Sequence, residues 1–134
     1  MLIQREAKVS HEIGPVHTIL SDPAFVIPRV LPPVKVIEVT GNSFKGSGQH
    51  FVYLFGISGT VYRGVDITYV FSIKGNGTGN GRIVISPGSL LKFTLEYEGY
   101  MERNLRLFSA SKWVDNFLKN LDEDIRIERI RRKI

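Results

Sequence analysis

No cysteine occurs among the 134 residues, which removes disulfides, thiolate nucleophiles and sulfur-ligated metals together. A reducing compartment is the matching expectation, and the expected location is cytoplasmic. No apolar run is long enough to cross a bilayer as a helix. The opening Met1-Leu2-Ile3-Gln4-Arg5-Glu6 carries charge where a secretion signal needs an uninterrupted apolar segment. Histidine is scarce as well. His11, His17 and His50 are scattered, no His-x-x-x-His pair occurs, and structural or surface roles are expected of all three. A Gly-x-Ser-x-Gly elbow is missing, and Gly75 to Gly81 fits neither the dinucleotide nor the P-loop spacing and opens no helix. No metal or redox cofactor is implied, and no residue is assigned a catalytic role.

Charge of one sign is in excess, but it is concentrated. The formal net charge is +5. Within 125–134, Arg126, Arg129, Arg131, Arg132 and Lys133 face Glu128 alone, so the rest of the chain is nearly neutral. Nucleic-acid-binding folds spread Lys and Arg along the face that follows the phosphates. A basic tail on a neutral body makes a nucleic-acid partner the weakest expectation.

The remaining composition is that of one globular domain: 43% hydrophobic residues, 13 glycines and 6 prolines in 134 residues. Leu2 to Glu12 alternates as a half-buried strand, with Ile3, Ala7 and Val9 on one side. Two short helices are predicted at Pro15–Leu20 and Pro23–Ile27, the second opened by Ser21-Asp22-Pro23 with a capping side chain and a first-turn proline. Pro32-Pro33 stops the helix, and Val34–Thr40 reads as a strand. Further strands are predicted at His50–Ile57, at Val61–Ile73 after a turn at Gly59, at Arg82–Ser86 after a hairpin tip over Gly75–Gly81, and at Leu90–Glu98. Val65, Ile67, Tyr69, Phe71 and Ile73 share one face, as do Leu91, Phe93, Leu95 and Tyr97.

The last third changes period. Ala110, Trp113, Val114, Phe117, Leu118, Leu121 and Ile125 recur at three- and four-residue steps, the mark of an amphipathic helix over about Ser109–Ile125. Beyond it the apolar stripe moves to the other side, to Ile127, Ile130 and Ile134 between basic residues. Either this segment packs on a second subunit or a protein partner, or it is frayed, solvent-exposed helix. The element order is thus α+β, with helices segregated from a run of antiparallel strands.

That layout resembles the helix-grip superfamily, which includes birch-pollen-allergen-like proteins, START domains and polyketide cyclases. It is most similar to the small proteins related to an accessory polypeptide of carbon monoxide dehydrogenase. The residues that carry the resemblance are the opening strand, Leu20-Ser21-Asp22-Pro23-Ala24-Phe25, the break at Leu31-Pro32-Pro33, and Leu95-Glu96-Tyr97-Glu98-Gly99 ahead of the last helix. The resemblance implies a curved antiparallel sheet of six to seven strands wrapped around a long C-terminal helix, with two short helices after the first strand. Six strands are legible here, and a seventh would fall within Gly41–Gly48. It further implies a single ligand-binding domain over 1–134, with a cavity between sheet and helix.

Residues expected to line that cavity are Tyr53, Phe55, Ile67, Tyr69, Phe71, Phe93, Tyr97, Trp113 and Phe117, with Arg63 at its mouth. The competing reading is that the aromatics fill a core. The phenols weigh against it, because each needs a hydrogen-bond partner when buried, and a ligand or trapped water would supply one. Arg5 and Arg63 fall on nominally inward faces; each is either a strand-end cation in solvent or a partner for an anionic head group. The function expected is non-catalytic binding of a hydrophobic or amphiphilic small molecule, such as an acyl chain, an isoprenoid or an acyl thioester like acyl-coenzyme A. A cyclase- or hydrolase-type enzyme and an accessory module of a larger enzyme are the alternatives.

Overall fold

Alternating apolar residues set the architecture. The structure, a computed structural model, describes the backbone of residues 1–134 and the side chains of all but 106–108. Its elements are β1 (Leu2–Lys8), α1 (Ile13–Leu20), α2 (Pro23–Val30), β2 (Val34–Thr40), β3 (Ser43–His50), β4 (Tyr53–Arg63), β5 (Ile67–Lys74), β6 (Thr78–Ser86), β7 (Leu90–Gly99), α3 (Glu102–Phe108) and α4 (Ala110–Arg132). The strands form one seven-stranded antiparallel sheet in the order β1-β7-β6-β5-β4-β3-β2. Each strand from β2 to β6 pairs with its successor, and β1 joins the far edge beside β7.

The curved sheet buries one face. Tyr69 and Phe71 on β5, Ile83 and Ile85 on β6, and Leu91, Phe93 and Leu95 on β7 are buried beneath Val114, Phe117, Leu121 and Ile125 of α4. With 23 residues, α4 is about 35 Å long at ~1.5 Å per residue, enough to cross the sheet. Helices α1 and α2 close the core with Ile19, Leu20, Phe25, Val26 and Ile27. Asp22 caps α2 as expected: its Oδ1 accepts from the Ala24 N–H at 3.0 Å, with Pro23 in the first turn.

The structure redraws the region between 41 and 74. Ser43–His50 is a strand of its own, the seventh; Phe51 and Val52 make the turn, and β4 runs without a break through Gly59. Gly59 is a strand residue because rings crowd it: a Cβ there would lie 2.6 Å from the Phe44 ring and 2.9 Å from Phe71 Cβ. The turn falls instead at 64–66, where Val65 projects into solvent at 92% exposure rather than joining the inward face. The hairpin tip is likewise shorter than 75–81. Gly79 and Gly81 belong to β6 and make room for the rings of Tyr97 and Phe71. β1 ends at Lys8, short of Glu12.

The tail departs from its expected end too. Helix α4 continues seven residues past Ile125 because a polar cluster anchors it to α2. Glu128 is buried, accepting from the guanidinium of Arg131 and from Arg132 Nε at 2.6 Å, while Arg132 Nη2 donates to Asp22 Oδ2 at 2.5 Å. The hydrogen bonds from Arg131, joined by those from Arg132, hold the Glu128 carboxyl down at about 2. Arg126 pairs with Glu123, and Arg129 lies against His11. Much of the basic tail is therefore engaged within the fold. Ile127, Ile130 and Ile134 nonetheless stand exposed, at 52%, 66% and 47%.

Candidate functional site

An apolar cavity of about 30 Å³ lies at one end of the grip. Leu31 and Pro33 at the α2–β2 corner form one wall, and His50 and Phe55 flank the β3–β4 turn. Ile73 and Tyr97 rise from the sheet, Trp113 descends from the first turn of α4, and Tyr100, Met101 and Leu105 close the side between β7 and α4. The space is that of about one water molecule.

Each wall is placed by local chemistry. Gly48 is glycine because the β2 edge passes over it and because a Cβ would sit 2.9 Å from the Phe55 ring; its absence lets Phe55 lie across the strand. Phe51 and Met101 both adopt positive φ, 56° and 65°. These are two of the three non-glycine residues in that region of backbone space; Met101 lines the cavity, and Phe51 lies outside its wall with its ring 4.4 Å from that of His50. Strain of this kind concentrates at functional positions. The turn itself is apolar and open to solvent, with Phe51, Val52 and Leu54 exposed at 66%, 81% and 72%.

His50 brings an imidazole to the wall beside the phenols of Tyr97 and Tyr100. It retains 9% exposure, its ring meets Trp113 edge-on, and its Nε2 is buried with no hydrogen-bond partner among the described residues. Burial lowers the pKa of its imidazole from the ordinary value.

Of the residues expected around a cavity, Phe55, Tyr97 and Trp113 line it. Ile67, Tyr69, Phe71, Phe93 and Phe117 are buried in the packed core, Phe93 against Phe117 at 5.7 Å between centroids. Tyr53 opens β4 at the sheet end and is 39% exposed. Arg63 lies at the opposite end of β4, where its Nε donates to the Ser21 carbonyl at 3.1 Å and its Nη1 to Asn42. Arg5 reaches across to Asp115 of α4 at 2.9 Å.

The phenols also find partners inside the chain. Tyr69 donates to the Leu20 carbonyl and Tyr97 to the Tyr100 carbonyl, each at 2.6 Å. Burial pushes both up, Tyr97 to about 12. Neither hydroxyl requires a ligand. Three parts of the site escape the sequence pattern: His50, which looks there like an ordinary strand end, the Leu31–Pro33 corner, which reads only as a helix break, and the 100–105 wall. A signal for the first exists: once Ser43–His50 is a strand, Phe44 and His50 fall in phase on the inward face.

Comparison with known proteins agrees with this fold. One family model matches residues 1–134, the whole chain. A solved structure of a hypothetical protein from Sulfolobus tokodaii is 30% identical with a TM-score of 0.82, covering 98% of this chain and 99% of that one. A START superfamily protein from Mycobacterium smegmatis superposes at a TM-score of 0.62 with 15% identity, covering 93% and 97%. A major latex-like protein from Panax ginseng does so at 0.58 with 8% identity, covering 92% and 95%. No curated protein matches the sequence. With its curved seven-stranded sheet, its two short helices after the first strand and its long final helix, the chain has the helix-grip fold and belongs to the family whose model spans all 134 residues.

Proposed function

We propose that the protein binds a hydrophobic or amphiphilic small molecule without transforming it, with the apolar part seated at the cavity between the β3–β4 turn and the start of α4. An acyl chain, an isoprenoid or an acyl thioester such as acyl-coenzyme A is the class of ligand. The observation that carries this reading is the apolar cavity itself, framed by Phe55 and Tyr97 of the sheet and Trp113 of α4.

The cavity is far below the ~300–1,000 Å³ of ordinary ligand pockets. Ligand entry on this reading displaces its wall. The half-buried side chains of Phe55, Tyr100, Met101 and Leu105 are the ones that would yield, since Ile73 and Tyr97 belong to the buried sheet face. Burial supplies the driving force, at ~25 cal/mol per Å² of apolar surface removed from water. Native mass spectrometry of gently purified protein, with displacement of a fluorescent fatty-acid probe, tests the reading. A bound amphiphile and saturable displacement are expected; titrations that never saturate across acyl chains and acyl-coenzyme A contradict it.

A second reading, contact with another copy of the chain or a partner protein through the tail, has the exposed Ile127, Ile130 and Ile134 in its favour.

A further inference from the structure

The tip of the β3–β4 hairpin is apolar and faces water. Its register closes at His50 opposite Tyr53, which leaves Phe51 and Val52 as the loop. Phe51, Val52, Tyr53 and Leu54 are all exposed. A continuous apolar stretch on the surface marks a contact rather than a part of the core. Phe51 also holds a φ of 56°, a backbone state in which glycine or asparagine costs less than a bulky ring. The chain thus keeps an apolar side chain where both backbone and solvent disfavour one, and strain of that kind belongs with function.

Charge and shape select the contact. No acidic residue occurs between Glu38 and Asp66. Lys74 pairs with Gly56 across β4 and β5, so by alternation it shares the outer face with Leu54. Lys35 adjoins Val34, whose partner is Gly48 near the end of β3. Lys112 adjoins Trp113, whose ring meets that of His50, and Arg103 lies in the chain between the cavity residues Met101 and Leu105. All of these cations are exposed. Glu98 and Glu102 stand at the same end, the second in an ion pair with the Met1 ammonium at 2.8 Å. An apolar knuckle flanked by cations suits an anionic bilayer: aliphatic side chains enter the acyl boundary, a tyrosine rests at head-group level, and lysines meet lipid phosphates. A protein partner fits less well, since a projecting tip offers only a fraction of the ~800 Å² per side that a specific interface buries. We infer that the β3–β4 tip docks the protein on an anionic membrane surface, with Phe51, Val52 and Leu54 inserted. The cavity lies just behind the tip, with Phe55 in its wall, so docking brings the proposed ligand site to the lipid phase. The docking surface stands on the tip and its cations, whether or not the cavity holds a ligand.

Flotation of the full chain with vesicles tests it, using phosphatidylcholine alone and phosphatidylcholine with phosphatidylglycerol in equal parts. The native protein is expected to bind the mixed vesicles, and the neutral ones more than about tenfold more weakly. Val52→Asp with Leu54→Asp is expected to weaken binding to the mixed vesicles by more than about tenfold and to leave thermal unfolding as it is, because both side chains are exposed. Lys35→Ala with Lys74→Ala is expected to cost about fivefold per cation on the mixed vesicles. Ile127→Ser with Ile130→Ser, which alters the other exposed apolar stripe, is expected to leave vesicle binding unchanged. Native protein that ignores both vesicles overturns the inference, as does equal binding to both, binding that survives the turn variant, or binding lost with the tail variant. Self-association that the turn variant abolishes, without vesicle binding, overturns it in favour of a second copy of the chain. Uptake of a fatty-acid probe without vesicle binding removes the membrane surface and leaves the ligand site standing; vesicle binding without probe uptake does the reverse.

Discussion

The indole of Trp113 stands edge-on to the imidazole of His50, ring centroids 5.4 Å apart and planes at 80°. That contact joins the first turn of α4 to the end of β3 across the cavity, so the two elements that make the grip meet at the proposed binding site. Phe117, one turn further along α4, is instead buried against Phe93.

The two aromatics of α4 should therefore separate stability from binding. Phe117→Ala is expected to cost about 3–5 kcal/mol, as for a packed core ring. Trp113→Ala removes a half-buried wall and is expected to cost less, about 1–2 kcal/mol, while sharply weakening ligand binding. Denaturant unfolding of both variants, alongside probe displacement, checks the contrast.

Tyr69, whose pattern in the sequence points its hydroxyl at a ligand, offers it to the Leu20 carbonyl. Tyr69→Phe should then leave a buried carbonyl without its donor and lower stability by about 1–3 kcal/mol. Ligand affinity should hold. A variant with native stability and impaired binding would return Tyr69 to the binding site.

Glu128 gives the fold an acid sensitivity of its own. Its folded pKa of about 2 lies below the ordinary 4.5, so its contribution is complete above the unfolded value and is lost as pH falls from about 4.5 toward 2. Glu128→Gln should destabilise the protein at pH 7, by about 1–3 kcal/mol, since Arg131 and Arg132 lose a charged acceptor. The gap between native and variant should close as the solution is acidified. A gap that stays constant from pH 6 to pH 3 would show that the ion cluster does not carry the α2–α4 contact.

The isoleucine stripe separates the two readings of the tail. Deleting the segment would also remove Glu128 and Arg132, so substitution is cleaner. In the self-association reading, Ile127→Lys with Ile130→Lys lowers the mass measured by light scattering and leaves unfolding unchanged. An identical mass for native and variant protein removes that reading.

How much of this is legible in the sequence depends on what each residue type can signal. Period-two alternation places β5 and β7 and their inward faces, because a buried strand must be apolar at every second position. Asp22-Pro23 marks α2 because capping is a local interaction. β3 is not legible: its inward positions are Phe44, Gly46, Gly48 and His50, and glycine stands there to admit the β2 backbone and Phe55, a need set by other strands. The turn is misplaced for the same reason, Gly59 answering to Phe44 and Phe71 rather than to its own backbone. For the site, alternation finds Phe55, Tyr97 and Trp113 but cannot tell wall from core, since both are apolar and inward. Its histidine, His50, is hidden with β3.

The most direct test of a binding site at this end of the grip is methyl and amide shift mapping by NMR as the protein is titrated with decanoyl-coenzyme A, farnesol and 4-butylphenol. The account predicts saturable shifts centred on Leu31, His50, Phe55, Ile73 and the Trp113 indole, with Ile83, Ile85 and Leu91 deep in the core responding least. Shifts that fail to saturate, or that centre on Ile127 and Ile130 while His50 and Trp113 stay still, would contradict it.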